Sequence, residues 1–235
     1  MLMNITVRHW IVSVFLGLLA MPPITSLAMS PEEAKIIQGY KAKAEKGDPE
    51  AQVILGVCYS IGNGVEKDFV QAVFWYRKAA LQGDAGGQIL LGDSYYNGIG
   101  IEKHFVQAVY WYQKAAVQED AEAQRKLGLC HDGGLGVTKN EVEGVKWYRK
   151  AAEQGDAHAQ QYLGMAYELG AGVAKDDIEA YAYLNLSGIT NEDARKRRGL
   201  LEKKLSPDAV LLGQQRTKEL QKEIEAKIAS KKAAK

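Results

Sequence analysis

The side chains that could carry chemistry in this sequence are few and poorly grouped. The 235 residues contain two cysteines, Cys58 and Cys130, and four histidines, at positions 9, 104, 131 and 158. None of these residues has the short Cys/His spacing of a zinc site. His131 and Asp132 are adjacent, but neighbours i and i+1 on a helix do not face each other. The sequence therefore predicts no catalytic residues, no metal ligands and no cofactor.

These residues belong to a repeated unit. The stretch from Gly83 to Gln118 recurs at a shift of 36 residues, without a gap, over 47–82, 119–154 and 155–190. The positions that coincide in every unit are aspartate at 48, 84, 120 and 156, glutamine at 52, 88, 124 and 160, leucine at 55, 91, 127 and 163, glycine at 56, 92, 128 and 164, glycine at 62, 98, 134 and 170, glycine at 64, 100, 136 and 172, and lysine at 67, 103, 139 and 175. A fixed period of this size is typical of a solenoid, in which each unit buries its apolar face against its neighbours.

The first half of each unit has the pattern of a helix. In the second unit Asp84 is a suitable N-cap, and Gly87, Leu91 and Tyr95 follow at i, i+4 and i+8 on one helical face. The glycine that follows each leucine costs roughly 1 kcal/mol inside a helix relative to alanine. Because it recurs in every unit, it predicts a close approach between two helices.

The second half of each unit predicts a second, antiparallel helix. The Gly-x-Gly pair at 98 and 100 is suited to a left-handed C-cap and a chain reversal, and it lacks the Lys-Ser/Thr of a phosphate-binding loop. His104 then stands at the N-cap position, where the other units have Asp68, Asn140 and Asp176. Alanines and aromatic residues share one stripe of the helix that follows, so we expect them to interlock with the next unit.

The repeat resembles a known family. The pattern A-x-A-Q-x-x-L-G-x-x-Y-x-x-G-x-G-V-x-K-D, followed by A-V-x-W-Y-x-K-A-A-x-x-G-D, resembles the Sel-one-like repeat (SLR) family, whose members are relatives of the tetratricopeptide repeats. The fourth unit departs from it, with Tyr183 in place of the tryptophan and Ser187-Gly188 in place of the alanine pair, as expected of a terminal repeat. The resemblance implies an all-α protein of bacterial exported type, folded as a right-handed α-α superhelix of antiparallel helix pairs with helical caps.

Both ends of the chain differ from the repeats. Residues 1–28 have a single charge, an apolar run at 11–21 and a small-x-small site at 26–28, which is typical of a secretory signal peptide; an uncleaved membrane anchor is the alternative. We predict a capping helix within 29–46 and a helical extension with a basic tail in 191–235. The protein would then be exported, either periplasmic or secreted, with no transmembrane segment after signal cleavage.

Charge separates along the chain. Residues 29–190 contain 16 basic and 22 acidic residues (net −6), whereas 191–235 contain 13 and 7 (net +6). The run Arg195-Lys196-Arg197-Arg198 suggests a weak contact of residues 195–235 with an anionic membrane; a solvated helix face is the alternative. We expect no nucleic-acid partner, because an exported chain seldom meets nucleic acid.

An enzymatic function is the alternative that the resemblance raises. Some cysteine-rich members of the family are described as penicillin-binding proteins or β-lactamases, and such enzymes need Ser-x-x-Lys and Lys-Thr-Gly motifs. Neither motif occurs in this chain, and the cysteine pair that staples each unit in those relatives is also missing. Cys58 and Cys130 occupy the same position two units apart, on the order of 20 Å, so we expect buried free thiols, with an intermolecular disulfide as the alternative. His131 replaces a core tyrosine and is interpreted as a packing residue.

The remaining candidate site is a surface. The resemblance implies that the first helices of the units line a concave groove, where side chains opposite the Ala/Leu/Tyr face would contact a partner. These residues are Val53, Val57, Ser60, Ile89, Asp93, Tyr96, Arg125, Leu129, Asp132, Gln161, Met165 and Glu168. A groove that begins apolar and becomes mixed in charge suits an extended peptide or a helix, although each residue alone is equally consistent with ordinary packing. The sequence therefore predicts a non-enzymatic scaffold that binds a protein or peptide.

Overall fold

A computed structural model describes residues 31–233, with side chains from residue 34 onward. In this range the chain forms eleven helices and no strand. The helices are α1 (Pro31–Glu45), α2 (Pro49–Ile61), α3 (Phe69–Leu81), α4 (Ala85–Asn97), α5 (Phe105–Ala116), α6 (Ala121–Gly133), α7 (Glu141–Ala152), α8 (Ala157–Leu169), α9 (Asp177–Ser187), α10 (Glu192–Glu202) and α11 (Pro207–Ala233). The proposed signal peptide and His9 lie outside the described residues.

Consecutive helices pack in pairs. Helices α2 and α3, α4 and α5, α6 and α7, and α8 and α9 form the four pairs, and each pair packs on the next through its neighbouring helices. Helix α1 packs on α2 at the start of the stack. The prediction of an all-α solenoid of helix pairs is confirmed.

The ends of the helices follow the capping residues that the sequence indicates. The Asp84 carboxylate accepts a hydrogen bond of 2.7 Å from the backbone N–H of Gly87, and the equivalent aspartates cap α2, α6 and α8 in the same way. At the other end of α4, Gly98 has the left-handed φ of 73°. His104 caps α5 through Nδ1, which accepts from the N–H of Gln107 at 3.3 Å. These contacts confirm the predicted N-caps and the turn.

The core is built from the repeated leucine and the glycine beside it. Leu91 is completely buried, as are its counterparts in the other units. A Cβ atom on Gly92 would lie 2.6 Å from Cε1 of Tyr112, so the two helices of the unit can approach only because this residue has no side chain. The predicted close approach is confirmed, and its partner is the tyrosine that follows the repeated tryptophan.

The repeated glutamine joins one unit to the next. The side-chain amide of Gln88 donates to the carbonyl of Ala80, in the preceding unit, at 3.2 Å, and its oxygen accepts from the Gln118 amide at 2.9 Å. Gln124 makes the same bonds with Ala116 and Gln154. A buried amide satisfied in this way gives a polar fastening between units, a role that the sequence pattern did not reveal.

The last helix turns back over the stack. Helix α11 packs on α9, where Leu220 is almost fully buried near Tyr183. Its later turns reach earlier units, because Lys227 pairs with Glu153 and Lys231 pairs with Glu119 at 3.0 Å. We predicted a helical extension from the sequence but not this path. Across residues 31–233, none of the helices combines the length and the hydrophobicity that crossing a bilayer requires.

Candidate partner-binding surface

The predicted groove residues form a row along the first helices of the four units, and we call them the first-helix row. Two of them, Val57 and Ile89, are 7% and 6% exposed and belong to core clusters, so they offer little surface to a partner. The others are half-buried, namely Val53, Ser60, Asp93, Tyr96, Arg125, Leu129, Asp132, Gln161, Met165 and Glu168. The row therefore presents the edges of side chains rather than whole side chains.

Asp93 and Asp132 are held by tyrosines of their own units. Asp93 accepts a hydrogen bond of 2.7 Å from the hydroxyl of Tyr112 and pairs with Lys126 at 2.8 Å. Asp132 accepts from the hydroxyl of Tyr148 at 3.2 Å. Burial raises the pKa of the Asp132 carboxyl, and the hydrogen bond from Tyr148 opposes that rise. Burial also raises the pKa of the Tyr112 hydroxyl, and the neighbouring Asp93 raises it further. Burial likewise raises the pKa of the Tyr148 hydroxyl, so both tyrosines act as neutral donors.

The other polar members of the row form bonds to elements further along the chain. Arg125 pairs with Asp156, the N-cap of α8, at 3.3 Å. Gln161 accepts from Asn191 at 2.8 Å, and Glu168 pairs with Arg197 of α10 at 2.6 Å. These contacts fix the side chains in place before any partner arrives, which lowers the entropic cost of binding.

The basic run at residues 195–198 is largely engaged within the molecule. Arg195 donates two hydrogen bonds to the carbonyl of Gly188, Arg197 pairs with Glu168, and Arg198 donates to Asn185. Lys196 pairs with Glu192 on the exposed side of α10. The run therefore fastens α10 to the last unit, and most of its charge is directed inward.

A second surface, which the sequence reasoning missed, lies on the second helices of the first two units. Leu81 and Val117 are 72% and 68% exposed. They lie beside two repeated residues, a tryptophan and a lysine. We call the surface formed by Trp75, Lys78, Leu81, Trp111, Lys114 and Val117 the lysine face; its lysine and aliphatic side chains are exposed, Trp111 is half-buried, and Trp75 is buried beneath it. The 36-residue shift relates its two halves, and that regularity among exposed positions is the signal that could have identified it.

The lysines of this face lie close to aromatic rings. Lys78 Nζ lies 4.9 Å from the ring centroid of Trp75, and Lys114 Nζ lies 5.5 Å from that of Tyr110. In the third unit Lys150 lies 4.2 Å from Trp147. Such contacts orient the ammonium groups at the surface without neutralising their charge.

In the described part of the chain, the cysteines and histidines are not grouped into a reactive site. Cys58 and Cys130 are buried free thiols, as predicted, and burial raises the pKa of the Cys130 thiol to about 11. His131 is half-buried, consistent with a packing role. Over residues 31–233, no three His, Cys, Asp or Glu side chains are grouped so that they could hold a metal ion.

Several solved structures resemble this chain. A protective antigen of uropathogenic Escherichia coli strains with an SLR fold is 37% identical, with a TM-score of 0.70 over 79% of this chain and 41% of the antigen. This chain thus spans about two fifths of that antigen. A Sel1 repeat protein from Oxalobacter formigenes is 36% identical, with a TM-score of 0.66 over 80% of this chain and 82% of that protein. An immunity protein from Pseudomonas aeruginosa, 23% identical over 94% of this chain and 82% of its own, has a TM-score of 0.50 and shares the fold alone.

The family model gives the same result as the structures. No curated protein sequence matches the chain. The Sel1 repeat model, in contrast, matches residues 49–84, 85–120, 121–156 and 157–188, each of which pairs one first helix with the second helix that follows it. With capped helix pairs, a glycine–tyrosine contact inside units and glutamine fastenings between them, the chain belongs to the Sel1 repeat family.

Proposed function

We propose that this protein is a non-enzymatic scaffold that binds a protein or peptide along the first-helix row. Sel1 repeat proteins are typically scaffolds for protein–protein interaction. The observation that supports the proposal is that Arg125, Gln161 and Glu168 are held in place by bonds to the N-cap or body of the helix two further along the chain. A continuous, pre-ordered row of half-buried apolar and polar groups suits an extended peptide or a helix.

Capture of a partner by crosslinking would test this proposal. The double variant Tyr96→Ala and Met165→Ala removes contact surface from the row without placing a charge in a packed position. The matched control, Val106→Ala and Val142→Ala, shortens two exposed apolar side chains outside the row. We expect the row variant to lose the partner that the wild type and the control capture, with circular dichroism unchanged. If all three proteins capture the same partner, binding lies elsewhere and the proposal is wrong.

The non-enzymatic part of the proposal has its own test. The hydroxyl of Ser94 donates to the carbonyl of Leu90 at 2.8 Å and that of Ser60 donates to Val57 at 2.8 Å, so both serve their own helices. We expect the purified protein to leave a chromogenic β-lactam intact under conditions in which an authentic β-lactamase hydrolyses it. Turnover above the buffer rate would contradict this part of the proposal.

We propose that the scaffold acts outside the cytoplasm, because residues 1–28 have the pattern of a signal peptide. The mature chain would then consist of the cap at 29–46, the units of 47–190 and the extension at 191–235. Mass spectrometry of the protein from a bacterial periplasmic extract should give a chain that begins at Met29. A chain that retains residues 1–28 and sediments with membranes would instead indicate an uncleaved anchor.

A further inference from the structure

We propose that the lysine face is a second docking surface, which takes an acidic amphipathic helix of a partner protein laid in line with α11. This goes beyond the first-helix row, because the lysine face lies on the second helices and shares no residue with that row. The inference rests on the surface of the third and fourth units on which α11 packs, which we call the seat of α11.

The seat of α11 has an apolar floor and acidic edges. Leu220 and Ile224 pack against the core of the fourth unit, beside Tyr183 and Leu186. Basic residues of α11 then meet carboxylates of the stack. The pairs are Arg216 with Glu179 at 2.7 Å, Lys227 with Glu153, and Lys231 with Glu119 at 3.0 Å. The protein therefore already binds one helix, of basic character, across the third and fourth units.

The lysine face continues this seat across the first two units. A shift of 36 residues carries Tyr183 and Leu186 of the seat onto Trp147 and Lys150, and two further shifts carry them onto the tryptophans and lysines of the lysine face. The same shift carries Glu153, where Lys227 is bound, onto Val117 and Leu81. The counterparts of Leu186 and Glu153 in the first two units are thus exposed, whereas the tryptophans that correspond to Tyr183 are half-buried or buried.

The charged side chains change sign between the seat of α11 and the lysine face. The half under α11 presents Glu179, Glu153 and Glu119, whereas the open half presents Lys78 and Lys114 with two exposed aliphatic side chains. In the part of the chain that the structure describes, no carboxylate forms an ion pair with Lys78, Lys114 or Lys150. An occupant of the open half must therefore combine an apolar stripe with acidic flanks, since like charges placed opposite each other would oppose binding.

The two halves meet at a cavity. A space of about 590 Å³ lies between the end of α11 and the second and third units, and its lining includes Val117, Trp147, Lys150, Ile228, Lys231 and Lys232. Glu119 and Glu153 also line the cavity, but they pair with Lys231 and Lys227 of α11, so Lys150 and Lys232 are the lining charges outside those pairs and favour the end of an acidic helix. The α11 of a second copy fits poorly here, because the face that it would present contains Arg216, Lys227 and Lys231.

A model peptide would test the inference directly. The probe is a fluorescein-labelled peptide of about 18 residues, or five helical turns, in which leucines form one helical stripe and glutamates fill the flanks. A peptide of the same composition in scrambled order, and one with lysine in place of glutamate, serve as controls. We expect anisotropy to show binding of the leucine–glutamate peptide alone, weakening as salt is added.

Matched charge reversals would locate the binding. Lys78→Glu with Lys114→Glu should weaken binding at least about tenfold, whereas Lys67→Glu with Lys103→Glu, which changes the net charge equally at the turns between paired helices, should leave it unchanged. Leu81→Ser with Val117→Ser, two exposed positions whose change leaves the core intact, should also weaken binding. The row variant Tyr96→Ala and Met165→Ala should bind the peptide as the wild type does, so this inference and the proposed function fail separately.

The other outcomes overturn the inference. If no leucine–glutamate peptide binds, or if both charge-reversal pairs weaken its binding equally, the lysine face is not a helix-docking surface. If vesicles of phosphatidylglycerol and phosphatidylcholine bind through Lys78 and Lys114 while the peptide does not, the face recognises an anionic membrane. If the lysine-substituted peptide binds as tightly as the glutamate peptide, charge complementarity does not select the occupant.

Discussion

Glu119 holds a backbone conformation that glycine holds at the equivalent positions of the stack. Its φ is 62°, and the residues 36 positions away on either side, Gly83 and Gly155, have φ values of 90° and 87°. A residue with a Cβ atom in the left-handed region costs about 1 kcal/mol or more. The carboxylate reaches Lys231 of α11. The strain therefore accompanies a contact that ties the last helix to the start of the third unit.

Two substitutions at this position distinguish the effect of the backbone strain from the effect of the ion pair with Lys231. Both Glu119→Gly and Glu119→Gln remove the ion pair with Lys231, but only glycine relieves the backbone. We expect Glu119→Gly to exceed Glu119→Gln in free energy of unfolding by about 1 kcal/mol, measured by urea denaturation. Both variants should also speed amide hydrogen exchange in the last turns of α11. Equal stabilities of the two variants would show that the left-handed conformation carries no strain here.

The glycine beside each core leucine should not tolerate a methyl group. Gly92→Ala improves helix propensity but brings a Cβ within 2.6 Å of Tyr112, so we expect a net loss of about 1–3 kcal/mol in the free energy of unfolding. Gly199→Ala is the matched control, because it makes the same change inside α10 where the new methyl group meets open space. The control should be neutral or slightly stabilising. A Gly92→Ala protein as stable as the wild type would contradict the close approach.

Buried tyrosines should make the protein sensitive to alkali. Burial raises the pKa of Tyr76 from 10.0 to about 12, so the folded state keeps a proton that the unfolded state loses in this interval. The stabilisation is complete below about pH 10, and it is lost as the pH rises through the folded pKa, by up to about 1.4 kcal/mol per pH unit. Tyr76→Phe should flatten the decline in urea stability between about pH 10 and 12. The same change at the exposed Tyr110 should leave the decline as in the wild type, and equal slopes for both variants would contradict the assignment.

At the level of the element, the glutamine fastening is the contact most specific to this stack. Gln124→Ala leaves the carbonyl of Ala116 and the amide of Gln154 without their partner, so we expect a loss of about 1–3 kcal/mol in the free energy of unfolding. Gln113→Ala, on the exposed side of α5, should change stability by less than about 0.5 kcal/mol. Thermal and urea unfolding would measure both variants. Similar values for the two would mean that water replaces the fastening at no cost.

The sequence predicts the elements well because their signals are local. Asp84, Gly98 and His104 act within one turn of their own helices, so the caps and turns could be read directly from neighbouring residues. The burial of Val57 and Ile89 was harder to foresee. Periodicity separates the faces of a helix but does not identify what covers each one, and here the next unit packs on these two positions. The path of α11 was equally hidden, because its partners lie in two different units and far from it in sequence.

At the level of the whole molecule, the interfaces between successive units are equivalent. We therefore predict that the protein tolerates the loss of an entire unit. Deletion of residues 83–118 brings Gln82 next to Glu119, and Ala80 can then accept the hydrogen bond from Gln124 that Ala116 accepts now. We expect this protein to stay helical and to unfold cooperatively at a lower temperature, since it has one fewer interface. Circular dichroism and thermal melting would measure the outcome.

A deletion out of phase with the repeat is the control. Removal of residues 83–112 would join the end of α3 to the last turn of α5 and place the glutamine, leucine and glycine positions out of register. We expect this shorter deletion to be more damaging than the longer one. If both deletions unfold the protein, the interfaces between units are not interchangeable; if both leave it intact, the register of the repeat is not what preserves the fold.

The return of α11 over the stack also has a mechanical consequence. A solenoid bends and stretches because each unit touches only its neighbours, and every joint adds a small compliance. Helix α11 spans the interface between the third and fourth units through Leu220, Lys227 and Lys231, whereas these contacts do not reach the interface between the first and second units. The two halves of the stack should therefore differ in their resistance to extension. Tension applied to the ends would extend the first two units before the last two.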